Sequence, residues 1–138
     1  MKLRRARIAV VSAAVLTVVG WTVAQAHHAV DAEFNLNKTR TLTGVLSQVD
    51  WVNPHVYFHF LIKGRNGKYT PWLFQSPSPA LLKRAGLPGK DAYRVGSTYK
   101  IVTNPARNGA NVGTFGVVTF PDGRKLNIGW ADPAFRPE

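Results

Sequence analysis

The chain has no cysteine, and its single methionine is Met1. Disulfides, thiolate catalysis, thiolate metal sites and covalently attached c-type haem are therefore excluded, and so is a soft Cu(I) site built on sulfur. Acidic residues are scarce, seven against 18 Lys and Arg. Four of the carboxylates, Asp50, Asp91, Asp122 and Asp132, are scattered and fall mostly at expected turns, so no paired acid–base device is visible. There is no G-x-S-x-G elbow, P-loop or dinucleotide fingerprint. Ser47, Ser76, Ser78 and Ser97 stand in no Ser/His/Asp context. These gaps leave no catalytic residue to assign, and they point to a protein that binds rather than one that carries out a reaction.

Long apolar runs are also few. The main one, Ile8 to Val23, follows the positive cluster Lys2, Arg4, Arg5 and Arg7 and precedes Ala24-Gln25-Ala26. A positive head, a short apolar stretch and a small-x-small site are the parts of a cleavable secretory signal. The run is shorter than the roughly 20 residues a membrane span needs. Residues 1–26 are therefore expected to be removed, leaving no membrane span. The flanks of Arg4-Arg5 fit the twin-arginine motif poorly and favour the general secretory route. Export implies a periplasmic or secreted bacterial protein. Four of the 18 cations and none of the seven acids lie in the signal, so the net charge falls from +11 to +7 in the mature chain. That excess suits an anionic partner surface, while export argues against nucleic acid.

The remainder has the size of one domain. Residues 27–38 show no period and are expected to form an extended arm, followed by a domain over 39–138. Polar and apolar residues alternate from Thr39 to Val52, the mark of a long strand, and Gly44 within it suggests a bulge or sharp bend. Asn53-Pro54 interrupts it. A second strand is expected over His55 to Lys63, then the hairpin signal Asn66-Gly67, then a third strand over Tyr69 to Gln75. Ser78-Pro79 opens a short helix, Lys83 and Arg84 fall in its last turn, and Gly86 ends it. Further strands are expected over Tyr93 to Thr103, Val112 to Phe120 and Lys125 to Trp130. This order predicts an all-β fold, a small OB-like β-barrel of five to six strands with one short helix between strands three and four.

Histidine is confined to His27-His28 and to His55 and His59. Cleavage after Ala26 would make His27 the first residue. An N-terminal histidine offers its α-amine and ring Nδ1 to one metal, and a second ring completes the planar nitrogen set that Cu(II) prefers. His55 is the expected third nitrogen. His28, with its own amide and the α-amine, offers a competing mode. The expected metal ligands are thus His27, His28 and His55, and the expected metal is copper. Zinc fits less well and would recruit an oxygen from Asp31 or Glu33. His55 and His59 on a straight strand would stand ~13 Å apart, too far to share an ion, so His59 is read as a strand residue. Trp51, Asn53, Tyr57 and Trp72 form an expected ligand face for an apolar or sugar ligand or an exported partner protein, although most aromatics on the first three strands should be core. A non-catalytic accessory module, docking on an exported enzyme or membrane complex, is the alternative reading.

His27-His28-Ala29, Phe34, Thr41-Leu42-Thr43-Gly44-Val45 and Trp51-Val52-Asn53-Pro54-His55 together resemble a family of small exported bacterial proteins, domain-of-unknown-function family 6152. Ser78 to Arg84 and Phe120-Pro121-Asp122-Gly123-Arg124-Lys125-Leu126 fit it too. The family start is usually His-His-Ser-Phe, and here Ala29-Val30 replaces the last two. The resemblance implies export, a compact β fold and weight on the His27 region and His55, and it implies no activity.

Overall fold

A computed structural model describes residues 29–129. They fall in two units divided between Glu33 and Phe34. In the first, residues 29–33 are helical, which corrects the expected extended arm. Ala29, Ala32 and Glu33 are good helix formers, and their local preference outweighs the missing apolar period. His27 and His28 lie outside the described residues.

The second unit is all-β, as expected, with seven strands in one sheet: β1 (Arg40–Asp50), β2 (Tyr57–Lys63), β3 (Tyr69–Gln75), β4 (Thr98–Thr103), β5 (Val112–Thr114), β6 (Val117–Thr119) and β7 (Lys125–Asn127). A helix α1 (Pro79–Arg84) and a 3-10 turn (Lys90–Ala92) lie between β3 and β4. The sheet order is β5-β3-β2-β1-β4-β6-β7. All pairs are antiparallel except β3–β5. The expected fifth strand is split. Its first half pairs with β3 and its second with β4, and Phe115-Gly116 carries the chain across between them. Gly116 is required there because a Cβ would strike the Val102 carbonyl oxygen. The described ladder is thus an open row of strands, with β5 at one edge and β7 at the other.

Two local features of β1 shape the sheet. Gly44 pairs on both sides, with Ile62 and with Tyr99. It marks a close approach and not the bulge the sequence suggests: a Cβ would meet the Ile62 side chain and lie 2.8 Å from the Leu61 carbonyl oxygen. The bulge comes three residues later, where the register shifts between Leu46 and Gln48. One extra residue, Ser47, reverses which face each later side chain takes. Leu42 and Leu46 reach the core before it, and Val49 and Trp51 after it.

The core is aromatic. Phe58 and Phe115 stack with centroids 4.0 Å apart, and Tyr93 meets Phe58 edge-on at 4.6 Å. Phe60, Phe74, Tyr99 and Phe120 extend the cluster. Such pairs add ~0.5–1.5 kcal/mol each beyond the area they bury, which fits a chain with no disulfide to help it. Helix α1 forms as its sequence dictates. The Ser78 hydroxyl accepts from the Leu81 amide, Pro79 opens the first turn, and Leu82 is fully buried.

Gly44→Ala is expected to lower stability by about 1–3 kcal/mol, the range for forcing a methyl into filled space. Gly89→Ala, at an extended residue with no neighbour within 4 Å, should stay within about 0.5 kcal/mol of the parent. Equilibrium denaturation of the two variants checks the pair. Equal midpoints would contradict the close approach.

Candidate functional site

The chain leaves β1 at Asp50 and re-enters the sheet at Tyr57. The six residues between form one rim of the domain. Asn53-Pro54 is a cis peptide, Val52, Asn53 and Pro54 are exposed, and Trp51 and His55 are half-buried. The Val56 amide donates to the Pro77 carbonyl, and the Ser76 amide to that of Val56, so the link is fastened to the segment that leads into α1. Two hydroxyls close to these elements, Ser76 Oγ and Tyr93 Oη, are buried and have no hydrogen-bond partner among the described residues. Burial also pushes the Tyr93 phenol far above its usual value, so it stays neutral.

A groove of about 720 Å³ opens beside this rim. One wall is Val49, Asp50, Trp51, Val52 and Tyr57, and the other is Lys83 with the Pro88–Asp91 stretch. Trp51 leans inward, its ring 6.4 Å from that of Tyr93. The charges are mixed: Asp50 and Asp91 against Lys83 and Lys90. Such a site has aromatic area for a flat ligand and charges of both signs at its edges.

The expected ligand face is only partly assembled. Trp51 and Tyr57 line the groove, and Asn53 stands exposed in the link. Trp72 belongs elsewhere. Register pairs it with the inward Phe60, and it is only 8% exposed, stacked on Phe74 with the Arg40 guanidinium 5.7 Å from its ring centroid. Its alternation in β3 is fixed by pairing with β2, which composition cannot reveal. His55 lies before β2 begins and not within it, so the straight-strand spacing to His59 does not apply. No group of three His, Asp or Glu side chains that could hold a metal occurs among the described residues.

The sequence reading passed over one polar cluster. His59 Nε2 and Asp50 Oδ2 are 2.7 Å apart, and the Gln48 amide donates to Asp50 Oδ1 at 2.5 Å. The Ser47 hydroxyl donates to the His59 carbonyl at 3.0 Å and pins the bulge. The bulge produces the cluster. Without it, parity would turn Asp50 inward, where an unpaired carboxylate is costly. Only the cross-strand register could have disclosed the pair. Lys83, Lys90 and Asp91 were equally invisible as groove residues, because they reach it through tertiary packing of the segment after β3.

The Gln48 hydrogen bond, and then that of His59, holds the Asp50 carboxyl below its usual value. A lowered folded value means that Asp50 stabilises the domain above the unfolded value near 3.8 and that this is lost as pH falls through the folded value. Asp50 is more than a third exposed, so the effect is that of a screened pair, about 0.5 kcal/mol. Asp50→Asn should be less stable than the parent by this amount at pH 6, with the gap closing by pH 2. Urea denaturation across that range is the measurement, and a constant gap would refute the assignment.

Among the described residues no helix is long and apolar enough to cross a membrane. No curated protein and no solved structure matches the chain. The family described as "Family of unknown function (DUF6152)" matches residues 14–115, which takes in β1 to β5, α1 and both walls of the groove, and stops short of Phe120-Pro121-Asp122-Gly123-Arg124-Lys125-Leu126. A match over most of its length makes this chain a member of that family of unknown function, DUF6152.

Proposed function

We propose that this is an exported, periplasmic or secreted binding protein, cleaved before His27, whose ligand is taken at the β1–β2 rim. The observation that carries the reading is the meeting of Trp51 and Tyr57 in one groove beside the link that bears His55. A rim held by backbone bonds to Ser76 and Pro77 suits a preformed site. The ligand we assign is Cu(II), bound by the α-amine and ring of His27 with the ring of His55. An N-terminal His27 would bring two nitrogens, its α-amine and ring, and His55 on the rim a third, the planar nitrogen set that Cu(II) prefers. Zinc would need an additional carboxylate oxygen and is the weaker choice.

The second reading is a non-catalytic accessory module that docks on an exported enzyme or membrane complex through the outer face of β2 and β3. Leu61 and Tyr69 are exposed on these strands. Leu61, Pro71 and Leu73 border a shallow hollow of about 250 Å³ with Ser47, His59 and Asn111.

Cu(II) titration followed by EPR separates the readings. Protein beginning at His27 should bind one equivalent with a nitrogen-rich signal. One extra residue before His27, or His55→Ala, should each weaken binding about tenfold or more, roughly 1.4 kcal/mol. Binding indifferent to both changes would sink the copper assignment and move the search to the outer face of β2 and β3.

A further inference from the structure

A second concave site lies at the other end of β1. Asn35, Lys38, Thr39 and Arg40 face Pro105, Ala106, Arg107 and Gly109 across a hollow of about 450 Å³. Three of these eight residues are cationic and none is acidic. The groove at the rim, in contrast, carries both signs.

The hollow is built, not a chance gathering of surface lysines. Its two walls are joined by the Phe34–Ala106 bridge and by the Asn35 amide donating to the Pro105 carbonyl at 2.9 Å. The Asn104 side-chain amide donates to the carbonyls of Leu36 and Lys38, at 3.3 and 2.8 Å. Asn104 is itself held on both sides by Thr114, which donates to its Oδ1 and accepts from its backbone amide, each at 3.0 Å. The loop that carries Lys38 is thus fixed from below by a chain of bonds rooted in β5. The Arg40 guanidinium is laid over the Trp72 ring. Its guanidinium is a fork of N–H donors, matched to a planar two-oxygen contact. Lys38 and Arg107 supply compact and forked positive charge on either wall, and the Thr39 hydroxyl is an additional donor in the lining.

We propose that this hollow is an oxyanion site that takes a phosphoryl group. The hollow has room for a phosphoryl group carried by a larger molecule. A soluble phosphate monoester and a phospholipid headgroup present the same chemistry. All three cations are exposed, so binding is moderate and weakens with salt. The site is independent of the rim reading, because it shares no lining residue with the groove.

The test uses isotope-labelled protein beginning at His27. Amide shifts are followed with glycerol 3-phosphate, and co-sedimentation is measured with phosphatidylglycerol vesicles against phosphatidylcholine vesicles, each at low and high salt. The proposal expects saturable shifts over residues 35–40 and 105–109. It expects at least a fivefold loss in Lys38→Gln/Arg107→Gln and a smaller loss in Arg40→Lys, which keeps charge but not the fork. It also expects quenching or enhancement of Trp72 fluorescence on binding. Response to the soluble ester identifies that source, and response only to phosphatidylglycerol vesicles identifies the lipid. Response to neither overturns the proposal. So do shifts that spread over Lys63, Lys68 and Lys100 without saturating, or binding that survives in the double variant. Trp51→Ala, in the other site, should leave the amide shifts and the co-sedimentation unchanged.

Discussion

A single inserted residue in β1 sets the geometry of the β1–β2 rim. Side chains alternate along a strand, so one extra residue exchanges the buried and exposed sets. Before Ser47 the even positions Leu42 and Leu46 face the core, and after it the odd positions Val49 and Trp51 do. The same reversal turns Gln48 and Asp50 outward, opposite His59 and Tyr57 on β2. Hence the aromatic wall of the groove, its acidic edge and the histidine–carboxylate pair on the adjoining face depend on one irregularity. It is pinned by the Ser47 hydroxyl on the His59 carbonyl.

The interior makes that irregularity affordable. Phe58, Phe60, Phe74, Tyr93, Tyr99, Phe115 and Phe120 touch in a continuous chain of stacked and edge-on contacts. Phe115 occupies its middle at the point where the chain crosses from the β3 side to the β4 side. It contacts Phe58, Phe60, Phe74 and Tyr93. A core of large rings tolerates few voids. The strands around it are therefore held in place, and loops can be specialised at both ends of β1. The rim end presents mixed charge and aromatic area, and the other end presents cations alone.

Much of the fold was legible. The limits of β3 follow from alternation and from the Asn66-Gly67 turn. Helix α1 follows from Ser78, Pro79 and the glycine at position 86, whose φ is +84°. These are local signals, decided by residues within a turn of one another. The fifth strand expected over Val112 to Phe120 is two short strands, because Gly116 passes against the Val102 carbonyl. The helical residues 29–33 were missed because Val30 is their one large apolar residue, which shows no period.

The sequence by itself determined the composition-bound facts: no sulfur chemistry after Met1, a cationic excess, an all-β order with one helix after β3, and His55 beside a proline turn. Each rests on residue type or on neighbours along the chain. Only the tertiary structure decided that Trp72 faces the core, that Asp50 meets His59, that Lys83, Lys90 and Asp91 close the groove, and that Lys38, Arg40 and Arg107 share a hollow. Those outcomes depend on strand register and on packing between segments up to some seventy residues apart. A one-residue slip reverses every side chain of a strand, so no local pattern could have supplied them.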